Sequence, residues 1–259
     1  MPAEKIIFKG AHGFDLAAKL ETPAEKIRSY ALFAHCFTCG KDLNAINRVS
    51  QALNEEGIAL FRFDFTGLGK SKGDFANTNF SSNVEDLIAA YQYMSKNLQA
   101  PDIMIGHSLG GAATIVAASK LKKVKAVATI GAPSNATNVL KQFGCSLDKI
   151  NEEGEAQVKL AGRPFKIKKQ FIDDANEQKI SENIANLKKP LLVMHSPIDE
   201  TVPLEHARKI YEAAKHPKSF VALDKADHLL MKNPRDGEYV AKLLAAWSSQ
   251  YIKKSLFNN

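Results

Sequence analysis

Asp102-Ile103-Met104-Ile105-Gly106-His107-Ser108-Leu109-Gly110-Gly111 passes from a short apolar run, through one serine, into a stretch of small residues. Asp102 to Gly106 reads as a buried strand and Leu109 to Ser119 as a helix of small residues. The spacing Gly106-x-Ser108-x-Gly110 between them has a mechanical reason. A strand-to-helix turn this tight admits only small residues two before and two after the serine, and it lifts the hydroxyl above the sheet. The plainer reading of Ser108 is a polar helix cap. The strand on one side and the helix on the other favour a nucleophile.

Outward from this turn, short β-rich runs alternate with longer helical patterns. Lys5 to Lys9 and Phe14 to Leu20, around Gly10-Ala11-His12-Gly13, read as an antiparallel hairpin. Ser29 to His35 and Ile58 to Phe65 are strands flanking a helix with Ile46, Val49 and Leu53 on one face, which Gly57 ends. Ser82-x-x-Glu85 is a capping box before a helix whose stripe is Val84, Leu87, Ile88, Tyr91, Met94 and Leu98. Val124 to Ile130, Pro190 to His195 and Ser219 to Leu223 complete the strands. Between the last two, Pro203 starts a helix with Leu204, Ala207, Ile210, Tyr211 and Ala214 on its face. A C-terminal helix carries Val240, Leu243, Leu244, Trp247 and Tyr251. This alternation implies an α/β protein with a mostly parallel sheet covered on both faces and the antiparallel pair at its edge. Residues 133–189 break the rhythm, with a hairpin around Ala161-Gly162-Arg163-Pro164 and a helix from Phe171 to Ile180. An insertion of that size is a candidate lid.

A nucleophilic serine needs a base, and the base an orienting carboxylate, here in chain order serine, acid, histidine. Asp199 follows the strand Leu191 to His195, and His228 follows the last strand. Three residues at three strand ends, in the required order, form the candidate triad Ser108, Asp199 and His228. Asp199 has a helix-cap reading, less natural because Thr201 precedes Pro203; Glu200 is the neighbouring carboxylate. Among rival histidines, His206 and His216 lie on or at the end of a helix. His195 precedes the acid, and His107, inside the turn, is expected to point into packing. Asp224 and Asp227 have structural readings. An oxyanion hole takes backbone N–H donors: Leu109 supplies one, and Phe37, with Cys36 as the alternative, the other.

The chain has 259 residues, 45% hydrophobic and 24% charged. That length can bury roughly three quarters of the unfolded surface, so one domain over residues 1–259 is expected, with no metal or disulfide to support it. Lys and Arg number 35 against 28 Asp and Glu, a formal +7. The basic residues form two modest groups, Lys120, Lys122, Lys123 and Lys125, and Arg163, Lys166, Lys168 and Lys169. No nucleic-acid module signature accompanies them, so a solvated surface is expected. Met1-Pro2-Ala3-Glu4-Lys5 carries no leader pattern and no apolar stretch approaches ~20 residues, which points to a cytoplasmic protein that does not engage a membrane.

Three cysteines, Cys36, Cys39 and Cys145, argue against a secreted disulfide framework. Cys36-Phe37-Thr38-Cys39 has the C-x-x-C spacing of redox or zinc sites. A zinc site lacks its second pair. Two reduced loop cysteines are the expectation, with redox exchange as the alternative.

From about residue 5 onward the chain resembles the α/β-hydrolase superfamily. The resemblance takes in the elbow and Asp64-Phe65-Thr66-Gly67-Leu68-Gly69-x-Ser71, similar to that superfamily's D-x-x-G-x-G-x-S turn. His35-Cys36-Phe37-Thr38-Cys39, Arg62 to Gly69, Asn77-Thr78-Asn79-Phe80 and His216-Pro217-Lys218-Ser219-Phe220 look like the hydrolase half of bacterial proteins fused to an OsmC-type domain. Such fusions continue where this chain ends at Asn259, so the resemblance implies esterase chemistry and no thiol peroxidase. One departure stands out: many of these enzymes have His-Gly-Phe where this chain has His35-Cys36-Phe37.

The expected activity is a serine carboxylesterase acting on short to medium acyl esters, with a small-molecule ester as partner and no metal or organic cofactor. The alternatives are a thioesterase or acyltransferase, with the basic surface near Lys166 and Lys168 receiving an anionic carrier, or a non-catalytic binding protein.

Overall fold

The period-two and period-3.6 stretches fold in the order the sequence sets them. The elements are β1 (Ala3–Lys9), β2 (Asp15–Glu21), β3 (Ser29–Ala34), α1 (Asn44–Glu55), β4 (Ile58–Phe63), α2 (Phe80–Asn97), β5 (Ile103–His107) and α3 (Leu109–Lys120). There follow β6 (Ala126–Ile130), α4 (Ser146–Glu153), β7 (Glu155–Leu160), β8 (Arg163–Lys168), α5 (Lys169–Glu177) and α6 (Ile180–Ala185). β9 (Leu191–His195), α7 (Glu205–Ala213), β10 (Lys218–Ala222) and α8 (Pro234–Ser248) complete the chain. This computed structural model describes residues 3–252; the expectations for the Met1-Pro2 start and for the end at Asn259 lie outside them.

One eight-stranded sheet runs in the order β1-β2-β4-β3-β5-β6-β9-β10. β3 pairs in parallel with both β4 and β5, and β5 with β6, β6 with β9 and β9 with β10. Only the β1–β2 and β2–β4 pairs are antiparallel, which puts the N-terminal hairpin at one edge. This is the α/β-hydrolase fold. Strand parity divides the core: Leu32, Phe61, Met104, Val127 and Val193 pack on the side of α2 and α3. Phe33, Leu60, Ile105, Ala128 and Met194 pack on the side of α1 and α8. Strand order reverses at β3, so the connections leaving β3 and β5 diverge and open a crevice at their carboxyl ends, where α/β proteins bind ligands.

Several boundaries differ from the pattern reading for identifiable reasons. α2 begins before Ser82: its cap is Asn79, whose side chain accepts from the Ser82 amide at 2.8 Å while Ser82 Oγ accepts from the Asn79 amide at 2.9 Å. Ser82 is thus the third helical residue, and buried Phe80 extends the apolar stripe back from Val84 by about one turn. The helix expected from Phe171 to Ile180 is two helices. Gln178 turns extended between them, its side-chain Nε2–H donating to the Asp174 carbonyl at 3.0 Å. The 3₁₀ segment Ala136–Phe143 and α4 were not read from the sequence, although Gly154, left-handed at φ 86°, closes α4 as a helix-ending glycine does. β7 and β8 form their own antiparallel pair.

Candidate active site

The turn after β5 explains its own glycines. Ser108 sits at φ 55°, ψ −130°, a conformation that costs a non-glycine residue about 1–3 kcal/mol. Its amide is fixed by donating to the Ile130 carbonyl at 2.9 Å. A Cβ on Gly106 would lie 2.5 Å from the Gly110 carbonyl, and one on Gly110 would lie 2.3 Å from the His35 carbonyl. The elbow therefore presses against the end of β3, and only glycine fits at that contact.

Ser108, His228 and Asp199 come together. Ser108 Oγ donates to His228 Nε2 at 2.9 Å, and His228 Nδ1 donates to Asp199 Oδ2 at 2.7 Å. The other Asp199 oxygen accepts from the Thr201 and Val202 amides, both at 2.9 Å. Burial alone would raise the Asp199 carboxyl. The His228 hydrogen bond and these two amides outweigh it and hold the group below the usual carboxylate range. Asp199 stays ionised and faces the imidazole as a fixed anion.

Three neighbours of the triad carry positioning roles that the sequence reading did not assign. His107 is buried, but it does more than pack: its Nε2–H donates to the His228 carbonyl at 2.6 Å. Burial, together with the His228 charge, brings its pKa down to about 3, so it remains neutral beside the His228 imidazole. His195 donates to the Val202 carbonyl at 2.7 Å and braces the acid loop; burial lowers its pKa as well. Gly131, at φ 56°, lies against the triad, where a Cβ would sit 3.2 Å from Asp199 Oδ2 and 3.3 Å from His228 Nδ1. Its only signal in the sequence is a glycine directly after the strand beside the elbow. The rival histidines are elsewhere: His206 bonds Ser134 and Asn138, and His216 is exposed.

The amides of Leu109 and Phe37, the expected oxyanion donors, make no hydrogen bond among the described residues. Leu109 opens α3. Phe37 sits in the turn Cys36-Phe37-Thr38-Cys39, closed by a Cys39 N–H to Cys36 carbonyl bond of 3.2 Å. The expectation of two reduced cysteines is overturned there. Cys36 and Cys39 are joined in a disulfide with their Cα atoms 5.4 Å apart, because the turn brings the ends of the C-x-x-C within bridging distance. Cys145 is free and exposed. Thr38 holds φ 59° without being glycine, and Arg163 from β8 donates to its carbonyl. The Phe37 ring packs on Phe75, Phe143 and Phe171 at centroid distances of 5.7, 6.3 and 5.4 Å.

Beyond the turn the chain is anchored again. Lys41 reaches buried Asp64 through its amide at 2.7 Å and its ammonium at 2.9 Å, and the Lys70 amide donates to the same carboxylate at 2.9 Å. The Asp64 to Ser71 turn thus holds the end of the loop after β3. The open cleft over Ser108 and His228 has a volume of about 540 Å³. Cys36 to Cys39 form one wall, Glu200 to Pro203 another, and Lys141, Gln142 and Ala161 from the 133–189 segment reach its rim. Among the described residues no group of three or more His, Cys, Asp or Glu side chains could hold a metal ion. No helix of the described residues is long and apolar enough to cross a membrane.

Sheet order, elbow and hydrogen-bonded Ser-His-Asp array define the class as an α/β hydrolase of the serine type. Residues 30–150 match the hydrolase family described as serine aminopeptidase S33. The esterase domain of a Rhodothermus marinus protein is 42% identical and superposes with a TM-score of 0.80, over 98% of this chain and 100% of that one. Human Protein ABHD12B is 26% identical over 185 residues, 65% of this chain and 45% of its own length. The rat palmitoyl-protein thioesterase ABHD10 is 26% identical over 208 residues, 76% of this chain and 66% of its own. The chain spans about half to two thirds of the length of these curated relatives. It belongs to the α/β-hydrolase superfamily.

Proposed function

We propose that the protein is a carboxylesterase that cleaves short to medium acyl esters through Ser108, His228 and Asp199. The observation that carries this reading is the continuous hydrogen-bond array from Ser108 Oγ through both His228 nitrogens to the ionised Asp199. His228 Nε2 takes the Ser108 proton as Oγ attacks the ester carbonyl, and Asp199 stabilises the imidazolium. The Leu109 and Phe37 amides receive the developing oxyanion; one such donor is worth about 10²- to 10³-fold in kcat. His228 then protonates the leaving alcohol, and water repeats the sequence to release the acid. Side chains, backbone amides and water carry every step.

In this reading residues 1–259 form one catalytic domain, and residues 133–189 act as its cap, limiting the acyl group through Lys141, Gln142 and Ala161 at the rim. A second reading, thioester cleavage by the same triad, is favoured by the likeness to the thioesterase ABHD10. Recruitment of an anionic carrier by Lys166 and Lys168 is less favoured, because Lys166 pairs with Glu155 and Lys168 bonds Asn77, each at 2.7 Å. The test is turnover of a graded series of p-nitrophenyl esters and of acyl-CoA thioesters by the protein and by Ser108→Ala. The esters should turn over faster than the thioesters, with kcat at least ~10⁴-fold lower in the variant. An unchanged rate in Ser108→Ala overturns the proposal.

A further inference from the structure

The Cys36–Cys39 disulfide closes the wall of the ester cleft, and neither the triad nor the fold requires it there. The chain around it is fixed on both sides. Upstream, His35 Nδ1–H donates to the Cys36 carbonyl at 2.8 Å directly after β3. Downstream, Lys41 is clamped to buried Asp64 through its amide and its ammonium. Between these anchors run the few residues that include Phe37. Thr38 occupies the left-handed position of the turn, where glycine or asparagine is usual. The crosslink joins the two ends of that turn, so it holds a conformation that Thr38 does not favour by itself.

Both cysteines line the cleft, and their exposure differs: Cys36 is buried whereas Cys39 is half-buried. A thiol entering the cleft therefore meets the Cys39 sulfur first.

We propose that Cys36–Cys39 is a thiol-reducible site that sets the position of the Phe37 amide, so that small thiols and disulfides control ester turnover. The inference rests on the esterase reading and on Phe37 as an oxyanion donor. A thiolate attacks Cys39 Sγ and forms a mixed disulfide; the Cys36–Cys39 bond breaks, and Cys36 leaves as a thiolate that takes up the proton released by the thiol. A second thiol attacks the outer sulfur of the mixed disulfide and releases Cys39 as a thiol. Two thiols become one disulfide, and two electrons pass to the protein. In the reduced protein only the 3.2 Å main-chain bond and the Arg163 contact restrain the turn, and both give way as Thr38 leaves its left-handed conformation. The Phe37 amide then moves off the line on which it meets the oxyanion. The loss falls on kcat, because the interaction belongs to the transition state.

The experiment uses the full chain with exposed Cys145 replaced (Cys145→Ser), equilibrated in mixtures of reduced and oxidised glutathione or in dithiothreitol. Thiols are trapped with iodoacetamide and counted by intact mass while kcat and KM are measured on one ester. Fluorophosphonate labelling of Ser108 is read in the same samples. As the fraction with two trapped thiols approaches one, kcat should fall about tenfold with KM within about twofold, and oxidised glutathione should restore it. Thr38→Gly accepts the left-handed conformation without a crosslink and should lose less than about threefold on reduction. A fully trapped dithiol with unchanged kcat overturns the switch, as does finding both cysteines alkylated in protein equilibrated with oxidised glutathione alone. Labelled, active and redox-indifferent protein leaves the esterase reading standing and removes only the switch. Protein that neither labels nor turns over ester in either state removes both.

Discussion

The two amides proposed for the oxyanion hole stand on opposite kinds of support. Leu109 is the first residue of α3, and the turn before it is pressed against β3 by Gly106 and Gly110. Regular structure fixes it. Phe37 lies in an irregular turn held by a disulfide, by Arg163 from β8 and by a ring packed on Phe143 and Phe171. Its position depends on residues more than a hundred places away. The first wall is therefore rigid by construction, and the second takes its setting from the 133–189 segment.

Disturbing the rigid wall should do the most damage. Gly110→Ala places a Cβ 2.3 Å from the His35 carbonyl, so either the elbow or the end of β3 must shift. We expect kcat to fall by about 10²- to 10³-fold with a clear loss of thermal stability, measured by ester turnover and calorimetry. On the other wall, Phe37→Ala keeps the amide but empties its aromatic seat. About 2 kcal/mol of stability and about tenfold in kcat should go, readable by denaturant unfolding alongside steady-state kinetics. Near-equal kinetic losses in these two variants would erase the contrast between the walls. Arg163→Met removes the donor to Thr38, and because the arginine is exposed only about two- to fivefold in kcat should follow.

His107→Gln has the smallest expected effect at neutral pH, since the amide can still donate toward the His228 carbonyl. Its signature lies in acid. The folded pKa of His107 is down at about 3 against an ordinary 6.5, so between those values the unfolded chain binds a proton that the folded chain does not. Stability from this group is complete above the unfolded pKa and is lost as pH falls toward the folded one. The variant's stability should fall less steeply with acid, by about one proton, in unfolding curves collected across that range.

Legibility follows the same division. Gly106-x-Ser108-x-Gly110 is readable because strand, turn and helix follow one another directly between Ile103 and Lys120, and Asp199 and His228 are readable because each follows a strand of recognisable pattern. The sheet and its antiparallel edge followed from the same alternation. The Gly131 contact and the His107 bond do not follow from it, since each depends on how segments far apart in the chain approach one another; the disulfide is local, but the C-x-x-C spacing alone fits reduced and bridged cysteines alike. Ser82-x-x-Glu85 imitates a capping box three residues inside the true cap, and Asn79 is the residue in extended conformation that takes it. In the 133–189 segment α4 was missed, its few apolar residues, chiefly Leu147 and Ile150, being too sparse to show a helical period.

The confinement of His228 has a consequence for the catalytic cycle. Its Nδ1 is tied to Asp199, its carbonyl is held by His107, and a Cβ at Gly131 would come within 3.3 Å of the ring. These bonds tie the imidazole to Asp199 and its main chain to the elbow. In the proposed cycle the ring stays still between acylation and deacylation while the alcohol departs and water takes its position. Replacing one nucleophile by the next is then a matter of exchange in the cleft, whose rim carries Lys141 and Ala161.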